Sequence, residues 1–117
     1  MIIIPILGAF LTLAFAVLGA AKLAAVPSMR ARAAHLGFST AAYRRIGALE
    51  LLAVAGIVAG LYDVRLAAAA AVGLVLLLLG AVITHARNGD GFAELAPALF
   101  LGAVAVVFVV LLLAGQA

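Results

Sequence analysis

Three ionisable residues lie inside apolar stretches of this 117-residue sequence. If those stretches are helical, Lys22 lies about 7–8 Å, Glu50 about 9 Å and His85 about 3 Å along the helix from the nearest charged connector. Charged residues inside a membrane usually face the protein interior and pair with one another. A base, an acid and a group that titrates near neutrality suit ligand binding or proton handling. The sequence therefore predicts one buried polar layer formed by these three side chains.

The same residues also have a structural interpretation. Lys22 and Glu50 would neutralise each other and fix the order of the helices, while His85 forms a hydrogen bond at the rim. Lys22 could instead extend its ammonium to the membrane interface. His35 stands in a basic connector, and we interpret it as a solvated or headgroup-facing residue rather than a ligand. The sequence leaves the functional and the structural interpretations open.

Composition indicates which solvent surrounds these helices. Apolar residues make up 70% of the chain and charged residues 9%, whereas soluble domains are about half apolar and a quarter charged. Four apolar runs approach the roughly 17–25 residues that a membrane-spanning helix needs, at residues 2–26, 45–61, 66–86 and 95–114. The first run is too long and lacks the basic start of a signal peptide. We predict an all-α membrane protein, an antiparallel four-transmembrane-helix bundle in a single domain.

The connectors indicate topology. "PSMRARAAHLGF" opens with a proline and predicts a short interfacial segment between the first two spans, after which Ser39 or Thr40 offers an N-cap. Lysine and arginine near span ends mark the cytoplasmic side. Only Arg65 lies in the link between spans two and three, whereas five arginines lie in the other two connectors: Arg30, Arg32, Arg44, Arg45 and Arg87. Both termini are therefore predicted to lie outside, in a cytoplasmic membrane of bacterial type.

Glycines recur at helical spacing in two of the runs. Gly56 and Gly60 form a GxxxG pair in the second run, and Gly73 and Gly80 share a face of the third with Thr84. Small residues let membrane helices approach closely. We predict tight packing within one bundle, with a homo-oligomer as the alternative.

Several functions lack any sign in the sequence. There is no cysteine, and hence no thiol chemistry. Phosphate loops, nucleophile elbows and zinc motifs are absent, so neither catalytic residues nor metal ligands are assigned. The basic residues are scattered, which speaks against nucleic acid as a partner. The bilayer is the predicted partner, together with a possible protein complex.

Three segments carry a resemblance to a known family. "GAAKL", "LGFSTAAYRRIGALELLAVAGIVAG" and "GAVITHARNGD" resemble the DoxX-like family of small four-helix membrane proteins, over residues from about Gly19 to Asp90. The resemblance assigns the family's characteristic positions to these residues: Lys22, Arg45, Gly47, Glu50, Gly56, Gly60, Thr84, His85, Arg87 and Asp90.

The resemblance implies a membrane subunit more than an enzyme. The family is named after a subunit associated with a thiosulfate:quinone oxidoreductase, and relatives are discussed in redox stress. The resemblance implies a non-catalytic accessory subunit that is linked to a quinone-dependent or stress-response system. Quinone or another lipid-like molecule is then the candidate ligand. A small-molecule or proton-coupled carrier using Glu50 and a membrane assembly protein stay open as alternatives.

Overall fold

The computed structural model describes residues 2–115, and every regular element within that range is an α-helix. Long unbroken runs of alanine, leucine and valine satisfy their backbone hydrogen bonds within each helix, as a segment surrounded by lipid must. The predicted all-helical fold is confirmed. The described helices are α1 (Ile3–Leu23), α2 (Pro27–His35), α3 (Thr40–Ala59), α4 (Val64–Arg87) and α5 (Phe92–Ala114).

Three of these helices, α1, α4 and α5, are long and apolar enough to cross a membrane. The longest dimension of the fold is 42 Å, close to the roughly 40–45 Å of a bilayer with its headgroups. Helix α3 has 20 residues but carries Arg44, Arg45 and Glu50. A membrane location therefore rests on three helices, and the crossing by α3 that would make four spans remains a prediction.

The helices pack around one apolar core. Helix α1 contacts α3 and α5, and α4 also contacts α3 and α5. Phe15, Leu11 and Leu74 are the largest fully buried side chains. Other large apolar side chains, such as Leu52 and Leu76, are exposed, as expected where lipid rather than water surrounds the helices.

Helix α2 occupies the predicted interfacial segment. Pro27 stands in its first turn, where the fixed φ of proline suits a helix start. Its apolar residues Met29 and Ala33 are buried, because α2 packs on α3 and α1. The helix thus forms where the sequence predicted it, but the apolar face contacts the protein rather than lipid.

Helix α3 begins ahead of the predicted span. The Ser39 hydroxyl accepts a hydrogen bond from the Ala42 amide at 3.0 Å, so the predicted N-cap is confirmed at Ser39. The first turns consequently include Arg44, whose Nε donates to the Leu23 carbonyl at 3.0 Å. This bond satisfies a carbonyl that the end of α1 leaves without a helical partner.

Candidate ligand-binding site

An ion pair joins α1 to α3 near one end of the fold. Lys22 Nζ lies 2.8 Å from Glu50 Oε1 and 3.1 Å from Oε2, so the ammonium contacts both carboxylate oxygens. The side chains are 12% and 5% exposed, respectively. The predicted partnership of Lys22 with Glu50 is therefore present inside the protein, and the lysine does not extend to the interface.

Gly47 makes this approach of the two helices possible. A Cβ atom at Gly47 would lie 2.7 Å from both Lys22 Cβ and the Gly19 carbonyl oxygen, which is shorter than real contacts allow. The sequence marked Gly47 through the family resemblance but missed Gly19. A signal was available, because Gly19 lies three residues before Lys22 and thus on the same side of its helix.

Two aromatic residues that the sequence analysis did not select complete the surroundings of Lys22. The Tyr43 ring centroid lies 5.4 Å from Lys22 Nζ, within the range of a cation–π interaction. Phe38 stacks on Tyr43 with ring centroids 6.3 Å apart. Tyr43 stands two helical turns before Glu50, so helical periodicity could have placed both on one face.

His85 forms its hydrogen bond with Asp90 rather than with Glu50. His85 Nδ1 lies 2.6 Å from Asp90 Oδ2, and His35 Nε2 lies 2.9 Å from Asp90 Oδ1. Asn88 Nδ2 donates to the same Oδ1 at 3.2 Å. We call His35, His85, Asn88 and Asp90 the histidine–aspartate cluster. It connects α2 to the α4–α5 connector, so both arginine-rich connectors lie at one end of the fold.

His35 therefore has a partner that the sequence did not predict. Its side chain is 55% exposed, in keeping with a residue in contact with solvent or headgroups. It nevertheless bonds to an aspartate that lies 55 residues further along the chain. Only the tertiary fold brings these residues together.

The end of α4 explains the position of Asp90. The Asp90 amide donates to the His85 carbonyl at 3.0 Å, and the Gly89 amide donates to the Ala86 carbonyl at 3.1 Å. Gly89 has φ +78°, the left-handed conformation that glycine adopts readily after a helix. This turn returns Asp90 toward the last turn of α4, where its carboxylate meets the His85 ring.

Asp90 is an ionised hydrogen-bond acceptor in this cluster. Its side chain is 8% exposed. The hydrogen bond from His85 holds the pKa of the Asp90 carboxyl below its usual value, and the bonds from His35 and Asn88 act in the same direction against the opposing effect of desolvation. The carboxylate therefore remains charged at neutral pH.

The remaining predicted polar positions make fewer contacts. The Thr84 hydroxyl donates to the Gly80 carbonyl at 2.7 Å, a bond within its own helix. Arg45 and Arg87 are exposed. These three side chains do not join the ion pair or the histidine–aspartate cluster through a described hydrogen bond.

The predicted packing glycines divide into two groups. Gly56 and Gly60 face α4 closely: a Cβ at Gly56 would lie 2.7 Å from Ala70 Cβ, and one at Gly60 would collide with Ala67. A Cβ at Gly73 or Gly80 would have no neighbour within 4 Å. The prediction that Gly73 and Gly80 form tight contacts is wrong within this chain, because the face of α4 that carries them turns toward open space.

That open space is an apolar groove between α3 and α4, with a volume of about 970 Å³. Gly73, Gly80 and Leu77 line it from α4. Its polar lining residues include Lys22, Tyr43, Glu50, Thr84 and His85. Ligand pockets are typically about 300–1,000 Å³, largely apolar, with a few placed polar groups.

A second, smaller cavity of about 500 Å³ adjoins the same polar residues. Lys22, Glu50 and His85 line it as well as the groove. Arg32 and Glu94, which are exposed residues near the connectors, also line this cavity. The ion pair and His85 therefore stand between an apolar groove and a more polar cavity.

The described residues contain no group of three or more His, Cys, Asp or Glu side chains arranged to hold a metal ion. The side chains at the site supply a carboxylate, an ammonium, a phenol and imidazoles. These groups donate and accept hydrogen bonds and exchange protons.

Fold and site together define a small helical membrane protein with a buried ion pair beside an apolar groove. The sequence profile of the DoxX-like family matches residues 6–115. The chain therefore belongs to the DoxX-like family, and the resemblance seen in its sequence is confirmed. No curated protein and no solved structure gives a significant match.

Proposed function

We propose that this DoxX-like protein is a membrane-embedded accessory subunit that binds a lipid-like molecule in the groove between α3 and α4. Quinones are the candidate class, because the family resemblance links such proteins to a quinone-dependent redox system. The observation that supports this proposal is the groove itself, which is apolar along α4 and bordered by Lys22, Tyr43, Glu50 and His85. A polar head bound there would meet these side chains while its tail follows the helices.

The proposal includes a topology. Helix α3 would cross the membrane as a fourth span, because its buried carboxylate is paired with Lys22 and neutralised within the protein. The arginine-rich connectors would face the cytoplasm and both termini the outside. Ser28→Cys should then be protected from an impermeant thiol reagent added to intact cells, and labelling from outside would reverse this orientation.

Co-purified quinone provides the direct test of groove binding. The protein would be extracted from native membranes in mild detergent, and the quinone per chain would be measured by solvent extraction and chromatography. Gly73→Leu should empty the site, because its side chain would enter the groove without meeting a neighbour at Cβ. Val72→Leu enlarges a neighbouring exposed position outside the groove lining and should retain quinone. Equal quinone in both variants would refute binding at this site.

The accessory role requires a partner, which the same extract can reveal. Affinity capture in mild detergent should recover a second membrane or redox protein in stoichiometric amount. Recovery of this chain alone would count against an accessory subunit. Recovery of a dimer that Gly73→Leu disrupts would identify the groove as a contact between two copies instead.

A proton-coupled carrier is the second candidate, and one observation favours it. Glu50 is buried yet lines both the groove and the second cavity. A single carboxylate therefore borders two cavities of different polarity. Carriers use such intramembrane acids for proton coupling. Proton flux into proteoliposomes that is abolished by Glu50→Gln would support a carrier, and flux unaffected by that change would exclude it.

A further inference from the structure

The His85 ring has one nitrogen committed to a donor role. An ionised carboxylate only accepts hydrogen bonds, so the 2.6 Å contact with Asp90 Oδ2 requires a proton on His85 Nδ1. The lone pair of the neutral imidazole is then on Nε2. Asp90 therefore determines which nitrogen of His85 can accept a hydrogen bond from a bound molecule.

Asp90 is held firmly enough to impose this tautomer. The backbone turn at Gly89 places it beside His85, and donors from His35 and Asn88 occupy its other oxygen. The hydrogen bond from His85, supported by His35 and Asn88, keeps the pKa of the carboxyl below its usual value. Both the position and the charge of Asp90 thus favour the Nδ1–H form of the ring.

His85 also offers an available acceptor at the polar end of the groove. Glu50 is occupied by Lys22, whereas Nε2 of His85 has no described hydrogen-bond partner. His85 lines both the groove and the second cavity. The other titratable or charged side chains that line these spaces are Lys22 from α1, Arg32 and His35 from α2, Tyr43 and Glu50 from α3, and Glu94 from α5.

We propose that His85 selects lipid-like molecules whose head carries a hydroxyl group, such as phenols and hydroquinones, by accepting their O–H at Nε2. Asp90 is a positioning residue that holds the required tautomer. This inference rests on the proposed groove binding and adds the chemical class of the head.

A matched pair of ligands measures the preference. The purified protein in lipid nanodiscs would be titrated with para-decylphenol and with its O-methyl ether, and empty nanodiscs would correct for partition into lipid. The phenol should bind roughly tenfold more tightly, as expected for one well-formed hydrogen bond. Asp90→Asn should bring the ratio close to one, because its amide can donate to Nδ1 and reverse the tautomer. Asp63→Asn, at the opposite end of α4, should leave the ratio unchanged.

Nitrogen NMR reports the tautomer without a ligand. The chain has two histidines, so ¹⁵N-histidine labelling gives two imidazole signals, and His35→Gln assigns them. His85 should be in the Nδ1–H form in the wild-type protein and shift toward the Nε2–H form in Asp90→Asn. A purely structural Asp90 would alter thermal stability without this exchange of tautomers.

The outcomes separate this inference from the proposed function. Equal binding of phenol and ether that Gly73→Leu abolishes would overturn the role of His85 and leave groove binding intact. A phenol preference that needs Asp90 but survives Gly73→Leu would support His85 and overturn the groove as the binding place. Binding of neither molecule above empty nanodiscs, or an Nε2–H ring in the wild-type protein, would overturn the selection by His85.

Discussion

The two sides of α3 are packed in opposite ways. Toward α1, the helix backbones are so close that Gly47 has no room for a methyl group, and the buried pair of Lys22 and Glu50 lies beside that contact. Toward α4, the helices touch at Gly56 but leave Gly73 in open space. We call the close contact between α1 and α3 the closed seam. The other side of α3, toward α4, opens into the groove.

This difference teaches that glycine spacing predicts the capacity for close contact, not the contact itself. Gly47 and Gly80 are both small residues in apolar helices, and only the neighbouring helix distinguishes them. The closed seam also leaves the charged pair largely buried, and charges inside a membrane usually face the protein interior and pair with one another. The open groove instead leaves apolar surface for a bound molecule.

The largest effect is expected from breaking the ion pair on the closed side. Lys22→Met or Glu50→Leu leaves one charge without its partner, which typically costs about 3–5 kcal/mol. Both single variants should therefore lose much of their thermal stability in detergent. The double variant should recover most of the loss, because replacing both partners with apolar groups is often neutral. Small additive losses in the single variants would mean that the pair is solvated.

A smaller effect on thermal stability is expected from adding one methyl group, either at the closed seam or in the groove. Gly47→Ala forces a methyl group against Lys22 and Gly19, and overpacking of this kind costs about 1–3 kcal/mol. Gly80→Ala meets no neighbour, and it should be neutral or stabilise by up to about 1 kcal/mol through helix propensity. Thermal unfolding of both variants in the same detergent measures the difference. Equal losses would show that the groove is closed in the membrane.

A still smaller effect on stability is expected from the pH dependence of the histidine–aspartate cluster at the polar end of the groove. A depressed pKa means that Asp90 stabilises the fold fully above the unfolded-state value of about 3.9. This contribution is lost as pH falls through the folded-state pKa. The gap in melting temperature between the wild type and Asp90→Asn should therefore shrink as pH falls below about 4.

Asp63 supplies the comparison for this titration. The hydrogen bond from the Arg65 side chain also lowers the pKa of Asp63, but in that ion pair the Arg65 and Asp63 side chains are 86% and 38% exposed. Exposed pairs contribute little and are screened by salt, so Asp63→Asn should cause a smaller loss that salt diminishes. A gap for Asp90→Asn that is unchanged between pH 7 and pH 3 would contradict an ionised Asp90.

Much of the fold could be predicted because lipid imposes simple rules on a sequence. Long apolar runs had to become helices, and both the all-helical fold and the DoxX-like family are confirmed. The N-cap at Ser39 also follows from local chemistry, since the hydroxyl satisfies an amide within the same turn. The number of membrane crossings is harder to predict from sequence, because the charged residue inside α3 needs a partner in another helix.

The sequence by itself determined the residue types and their depth along each helix. It predicted the partnership of Lys22 with Glu50, since a buried charge needs a nearby counter-charge. Only the tertiary structure decided that His35 joins His85 and Asp90 from another helix, and that Gly80 faces a groove. Periodicity fixes which residues share one helix face. It does not fix which helix, ligand or open space that face meets, because this depends on how several helices pack at once.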